Sequence, residues 1–179
     1  MKDKEKLNFI PLNIAVLTIS GYRDNSNDSA GDFFLEALQA AGHKPLEKII
    51  CKPDRYRLRA QLSHWIADPL TQVVLISGGT GFNADDCLPE ALTPLLDKQI
   101  EGFGELFRQL SYQEIGSAAL QSRALAGLAN QTLIFAMPGS PNACKLAWYA
   151  LVRPQLDRRQ GPCNFVPHLG QAHVCEAGR

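Results

Sequence analysis

The chain has 179 residues, 45% apolar and 20% charged, and its eighteen lysines and arginines match eighteen aspartates and glutamates. That length suits one domain with a full-sized core, and balanced charge argues against broad binding to nucleic acid or a membrane surface while leaving room for a local anion pocket. No apolar run approaches the ~20 residues of a membrane span, no signal-peptide core follows the charged residues 1–6, and five cysteines without a C-x-x-C pair do not suggest a disulfide framework, so a cytoplasmic protein is expected.

Residues 1–11 read as a tail closed by Pro11, residues 12–160 as one α/β domain, and residues 161–179 as an arm without periodicity. Within the domain, 13–19 (N-I-A-V-L-T-I) form a mostly apolar first strand. A polar loop over 20–27 leads to Asp28 or Ser29, either of which can cap a helix carrying Phe34, Leu38 and Ala41, and Gly42 ends that helix as a left-handed cap. Residues 46–51 read as a second strand, after which Asp54 caps a helix with Leu58, Leu62, Trp65 and Ile66 on its core face.

Residues 73–91 (V-V-L-I-S-G-G-T-G-F-N-A-D-D-C-L-P-E-A) are the centre of the chain. Residues 73–76 fit a short strand buried on both faces. Gly78, Gly79 and Gly81, with Thr80 between them, let backbone N–H groups reach a ligand with no Cβ in the way. Asp85, Asp86 and Pro89 then mark a helix N-terminus. A tight turn with an ordinary cap needs only one glycine, whereas three glycines and two acids favour a phosphate site with a place for a metal ion. The Walker signature is absent, and the G-x-G-x-x-A match at 79–84 is weak because it follows the third strand, not the first.

Further on, 88–96 read as a short helix interrupted at Pro94, and Phe103, Phe107 and Leu110 begin another, on which Glu105 and Arg108 are spaced to pair. The alanine-rich residues 117–130 read as helical, and their small apolar surface suits a symmetric interface. Residues 133–137 are a buried strand running into Pro138, Gly139, Ser140 and a last helix that opens at Pro141. The order strand–helix–strand–helix–strand–loop–helix implies a three-layer α/β fold, with a mostly parallel sheet and helices on both faces.

In such sheets ligands bind outside the carboxyl ends of the strands. If the first and third strands are neighbours, Asp28 and Asp86 face the glycine loop across a crevice, where Mg²⁺ is commonly held by acids and substrate phosphates; alone, Asp28 reads as a helix cap. No serine has an evident His–Asp partner, and the spacing Cys163-x₄-His168-x₄-His173-x-Cys175 lacks the short pairs of zinc sites, so no structural metal is expected.

The segments 77–81 with Asp86 and 89–91, then 101–108, Ser111, 114–116, 121–124 with 126–127, 138–140, 163–165 and 168–169, together resemble the molybdenum-cofactor biosynthesis family MoaB/MogA, its MoaB branch in particular, over roughly residues 12–169. The resemblance implies a molybdopterin-binding, MogA-like fold and a homo-trimer or homo-hexamer. It also implies molybdopterin as ligand, adenylylated with ATP and Mg²⁺ ahead of molybdate insertion, or bound without turnover by a carrier of the same pathway. Asp28 and Asp86 match the family's acids, here as catalytic and metal-holding groups. Ser77, Gly78, Gly79, Thr80, Gly81, Ser111, Pro138, Gly139 and Ser140 match its substrate-binding positions. The family's D-x-S-G pattern reads here as Asp28-Ser29-Ala30-Gly31.

Overall fold

The computed structural model describes residues 7–170. Six strands, β1 Asn13–Ile19, β2 Lys44–Cys51, β3 Val73–Ser77, β4 Lys98–Gln99, β5 Leu125–Ala129 and β6 Thr132–Met137, form one sheet in the order β2-β1-β3-β6-β5-β4. The first four in that order are mutually parallel; β5 pairs antiparallel with both its neighbours, so it alone opposes the rest. The principal helices are α1 Ser29–Ala40, α2 Arg55–Ala67, α3 Leu88–Leu92, α4 Glu101–Ile115 and α5 Pro141–Ala147.

Strands β1, β3 and β6 are apolar along their length because both of their faces are covered. Alternate side chains part to opposite sides, as the pleat requires. Ile14, Val16, Val73, Leu75, Leu133 and Phe135 pack with Phe34, Leu38, Phe103, Phe107 and Trp148. Ala15, Leu17, Val74, Ile76 and Ile134 pack with Leu58, Leu62, Trp65 and Leu92. Helices α1, α4 and α5 therefore cover one face, and α2 and α3 the other, which gives the expected three layers.

The caps read from sequence are present. Gly42 has φ +85°, and the N–H groups of Gly42 and His43 donate to the carbonyls of Gln39 and Leu38 at 3.0 and 2.9 Å, closing α1. Asp54 accepts from the N–H groups of Tyr56 and Arg57, both at 2.9 Å.

Three expectations need correction. Residues 117–130 are not a helix. A 3₁₀ segment, Gly116–Gln121, leads into β5, whose residues pair with β6 from Leu125↔Ala136 to Ala129↔Thr132. Helix propensity loses here to sheet pairing: a Cβ on Gly127 would lie 2.8 Å from the Lys98 carbonyl of β4, so the strands leave no room for a side chain. The interface argument built on a small-residue helix falls with it, since Ala119, Ala126 and Ala129 are buried within this chain. Arg108 does not pair with Glu105; it turns inward and donates to the carbonyls of Ser122 and Ala124 at 3.4 and 3.3 Å.

Beyond residue 160 the chain returns to the domain, where Leu169 is buried and the Gly170 carbonyl accepts from Gln72 Nε2 at 2.7 Å. His173 and Cys175 of the tail spacing lie outside the described residues. Among the described residues no helix is long and apolar enough to cross a membrane.

Candidate functional site

Three loops leave the carboxyl ends of adjacent parallel strands: 20–28 after β1, 78–87 after β3 and 138–140 after β6. The β1 loop leads to a helix on one face and the β3 loop to a helix on the other, the switch point at which such sheets bind ligands. Gly78 is where the loops meet. Its φ is +96°, its N–H donates to the Met137 carbonyl at 2.9 Å, and a Cβ there would lie 2.4 Å from the Ile19 carbonyl. A Cβ on Gly139 would in turn lie 3.2 Å from Gly78 Cα. Both glycines are required by backbone contact between loops.

Asp28 lies on the β1 side, fully buried. Thr18 Oγ1 lies 3.1 and 2.9 Å from its two carboxylate oxygens, and the Gly31 N–H donates to Oδ1 at 3.1 Å. Thr18 Oγ1 is also 3.2 Å from Ser77 Oγ. A threonine hydroxyl has one proton; with that proton on the carboxylate, Ser77 donates to Thr18. Asp28 is thus both the cap of α1 and the end of a hydrogen-bonded chain reaching the start of the glycine loop. Two cations compensate its charge, Lys48 Nζ at 3.6 Å and Arg23 Nη1 at 3.8 Å. Cys144 of α5 packs nearby and donates to the Pro138 carbonyl; burial pushes its thiol up to about 12, so it stays protonated.

Asp86 belongs to the other wall. One carboxylate oxygen, Oδ2, accepts from the Asn83 N–H at 2.9 Å, and the residue is half-buried. Each acid has its glycine: a Cβ would lie 2.1 Å from Asp28 Oδ2 if built on Gly31, and 2.6 Å from Asp86 Oδ2 if built on Gly81.

Arg123, just before β5, fastens this wall. Its N–H donates to the Thr80 carbonyl at 2.9 Å, Nε to the Gly81 carbonyl at 2.8 Å, Nη2 to the Asp86 carbonyl at 2.5 Å and Nη1 to Glu90, while the guanidinium lies over the Phe82 ring. With its carbonyls engaged, the loop leaves the N–H groups of Gly79, Thr80 and Gly81 without an acceptor among the described residues. The N–H groups of Gly139 and Ser140 are likewise free, and the Ser140 hydroxyl caps α5 by accepting from Ala143 at 3.3 Å.

The structure therefore joins Asp28 to Ser77, and Ser77 through Gly78 to Pro138, Gly139 and Ser140. It does not join Asp28 to Asp86: no hydrogen bond connects them, and their partners differ. Ser111 is buried on α4, apart from the three loops in sequence and without a hydrogen bond to them. Thr18 and Arg123 were not singled out from sequence. Thr18 is a polar residue inside the apolar run of β1, a signal that could have marked it; Arg123 carries no such local sign.

As Mg²⁺ ligands the two acids differ. Asp86 fits, because it is partly exposed and Oδ1 has no hydrogen-bond partner among the described residues. Asp28 as arranged does not, because both oxygens accept hydrogen bonds and two cations already face them.

Residues 15–158 match the family described as "Probable molybdopterin binding domain". The Molybdenum cofactor biosynthesis protein B of Escherichia coli K12 is 56% identical over 161 residues, 90% of this chain and 95% of that protein. Its counterpart from Bacillus subtilis strain 168 is 42% identical over 142 residues, 79% and 84% of the two chains. A crystal structure of a Molybdenum cofactor biosynthesis protein B aligns with a TM-score of 0.79 at 40% identity, over 82% of this chain and 92% of that one. The tungsten cofactor synthesizing protein MoaB from Pyrococcus furiosus aligns with a TM-score of 0.69 at 32% identity, over 76% and 88%.

Proposed function

The chain belongs to the molybdopterin-binding domain family, among the molybdenum cofactor biosynthesis proteins, and from that premise we propose that it binds molybdopterin in the three-loop crevice and adenylylates it with ATP and Mg²⁺. The observation that carries the reading is the run of free N–H groups at Gly79, Thr80 and Gly81 beside the Asp86 carboxylate. Amides without an acceptor form a nest for an anionic oxygen, and the carboxylate beside them suits a divalent cation rather than a second anion.

The parts divide the work as follows. The amides of 79–81 and of Gly139 and Ser140 hold the pterin phosphate. Asp86 would hold Mg²⁺, which when bound draws off negative charge from nucleotide oxygens. Asp28 joins that ion only if Lys48 turns away from it; otherwise it positions Ser77 through Thr18. In the transfer a phosphate oxygen of the pterin bonds to the α-phosphorus of ATP. The bond from that phosphorus to the bridging oxygen breaks, and pyrophosphate leaves with the electron pair. Such chemistry needs placement and charge neutralisation more than a covalent enzyme intermediate.

A second reading, a molybdopterin carrier without turnover, is favoured by one observation: the carboxylate of Asp28 is enclosed and already paired. Purified protein incubated with molybdopterin, ATP and Mg²⁺ separates the two. Adenylylated molybdopterin and an equal amount of pyrophosphate are expected. Bound pterin with no product leaves the carrier, and no pterin binding at all removes both. A cytoplasmic homo-trimer or homo-hexamer accompanies this reading, and the exposed Leu106, Tyr112, Ile115 and Leu120 on and after α4 supply apolar surface for it.

A further inference from the structure

The corner where β2 passes into α2 takes no part in the site described so far. Lys52, Arg55, Arg57 and Arg59 fall within eight residues of a chain whose net charge is zero. None forms an ion pair with a carboxylate among the described residues. The one acid between them, Asp54, commits Oδ1 to the N–H groups of Tyr56 and Arg57. Arg59 reaches α3, where Nη2 donates to the Glu90 carbonyl at 2.9 Å, yet its Nε is buried and has no acceptor. A buried guanidinium donor left idle is uncommon.

The location gives this excess a use. The corner lies at the same edge of the sheet as the three loops. The Ser20 N–H donates to the Cys51 carbonyl at 3.0 Å, and a Cβ on Gly21 would lie 4.0 Å from Pro53 Cδ, so the corner adjoins the β1 loop. Through Glu90 it also adjoins α3, which begins two residues after Asp86. Helices α2 and α3 cover the same face, so the cations flank the crevice on the side of the glycine loop.

We propose that this corner is a polyphosphate subsite, in which Arg55, Arg57 and Arg59, with Lys52 at the rim, take the β- and γ-phosphates of the nucleotide and then the departing pyrophosphate. The assignment rests on the adenylyl-transfer reading. As the bond between the α-phosphorus and the bridging oxygen breaks, negative charge gathers on the pyrophosphate oxygens. Guanidinium groups meet such oxygens with paired N–H donors. A monophosphate on the pterin has the same oxygen chemistry, so chain length of the phosphate is what separates the two sources.

The test uses the whole chain and inorganic probes. Pyrophosphate, tripolyphosphate and orthophosphate are titrated calorimetrically into wild type and into Arg55→Gln/Arg57→Gln, which leaves the Arg59 contact with α3 in place. Pyrophosphate and tripolyphosphate affinity should fall about 10-fold or more, the scale of losing charge-assisted hydrogen bonds, with orthophosphate binding and thermal melting unchanged. Arg59→Lys keeps the charge but loses the guanidinium fork, and should weaken pyrophosphate and tripolyphosphate while leaving orthophosphate unchanged. Undiminished pyrophosphate affinity in the double variant, or no pyrophosphate binding by wild type, overturns the subsite. An equal loss for orthophosphate also overturns it, because the corner then serves the pterin phosphate. If wild type binds pyrophosphate at this corner but never adenylylates molybdopterin, the transfer reading fails while the anion site stands. If wild type adenylylates and the double variant keeps its KM for ATP, the subsite fails while the transfer reading stands.

Discussion

His43 is neutral by construction. It is 5% exposed, its ring lies tilted against Phe9 with centroids 5.1 Å apart, and its Nδ1 accepts from the Leu12 N–H at 3.3 Å. Burial pushes its pKa down to about 4, against the opposing pull of Asp157. A depressed folded pKa means that the unfolded chain takes up the proton first. Stability from this residue is therefore complete above about 6.5 and is lost as the pH falls towards 4, by ~3 kcal/mol in all. Urea midpoints measured from pH 7.5 to 4.5 should show that decline, and His43→Gln should flatten it; equal slopes would remove His43 as the cause. Asp28→Asn acts differently. Asparagine keeps the cap and can accept from Thr18, but it leaves Arg23 and Lys48 opposite a neutral group, with Asp32 at 2.6 Å from Lys48 as partial relief. We expect a loss of ~1–3 kcal/mol in stability, with at least a ~100-fold fall in adenylylation if Lys48 turns away and Asp28 joins the metal during transfer. Melting curves and the product assay check the two halves, and wild-type turnover would reduce Asp28 to a cap.

The hairpin β5–β6 is the element the sequence concealed. Asn130 and Gln131 link its strands with φ of +44° and +65°, so both central residues are left-handed, as in a type I′ turn. Asn-Gly announces such a turn; Asn-Gln does not, and the alanines before it read as helix. Gln131 is exposed, so Gln131→Gly should stabilise the fold by ~0.5–1 kcal/mol by relieving the left-handed strain, visible as a higher midpoint in denaturant with an unchanged slope. A lower midpoint would contradict the turn assignment. The parallel strands were legible because burial on both faces demands unbroken apolar runs. The glycine loop, Asp28 as a cap and Gly42 as a terminator were legible because each is a local backbone requirement. What local spacing could not supply is partnership across the fold. Thr18 meets Ser77 and Asp28 only after β1 and β3 pair, and Arg123 meets Gly81 from 42 residues away.

At the scale of the molecule, the small-residue segment before β6 is consumed within the sheet, while the exposed Leu106, Tyr112, Ile115 and Leu120 form an apolar group on and after α4. If those side chains are covered by other copies, sedimentation at micromolar concentration will show a trimer or hexamer; a 19.7 kDa species would rule that assembly out. Leu106→Asp/Ile115→Asp should then shift the protein toward monomer without unfolding it. The grip of Arg123 on the glycine loop has a consequence in time. The loop is synthesised well before the residues that shape it: Gly78 waits for the Met137 carbonyl, and Gly79 to Asp86 wait for Arg123. A chain emerging from the ribosome can close β1, β2 and β3 early, yet it has no anion nest until the final hairpin docks. If the proposed nest takes the ligand, a nascent chain stopped before residue 123 should fail to bind it, however well its first half has packed.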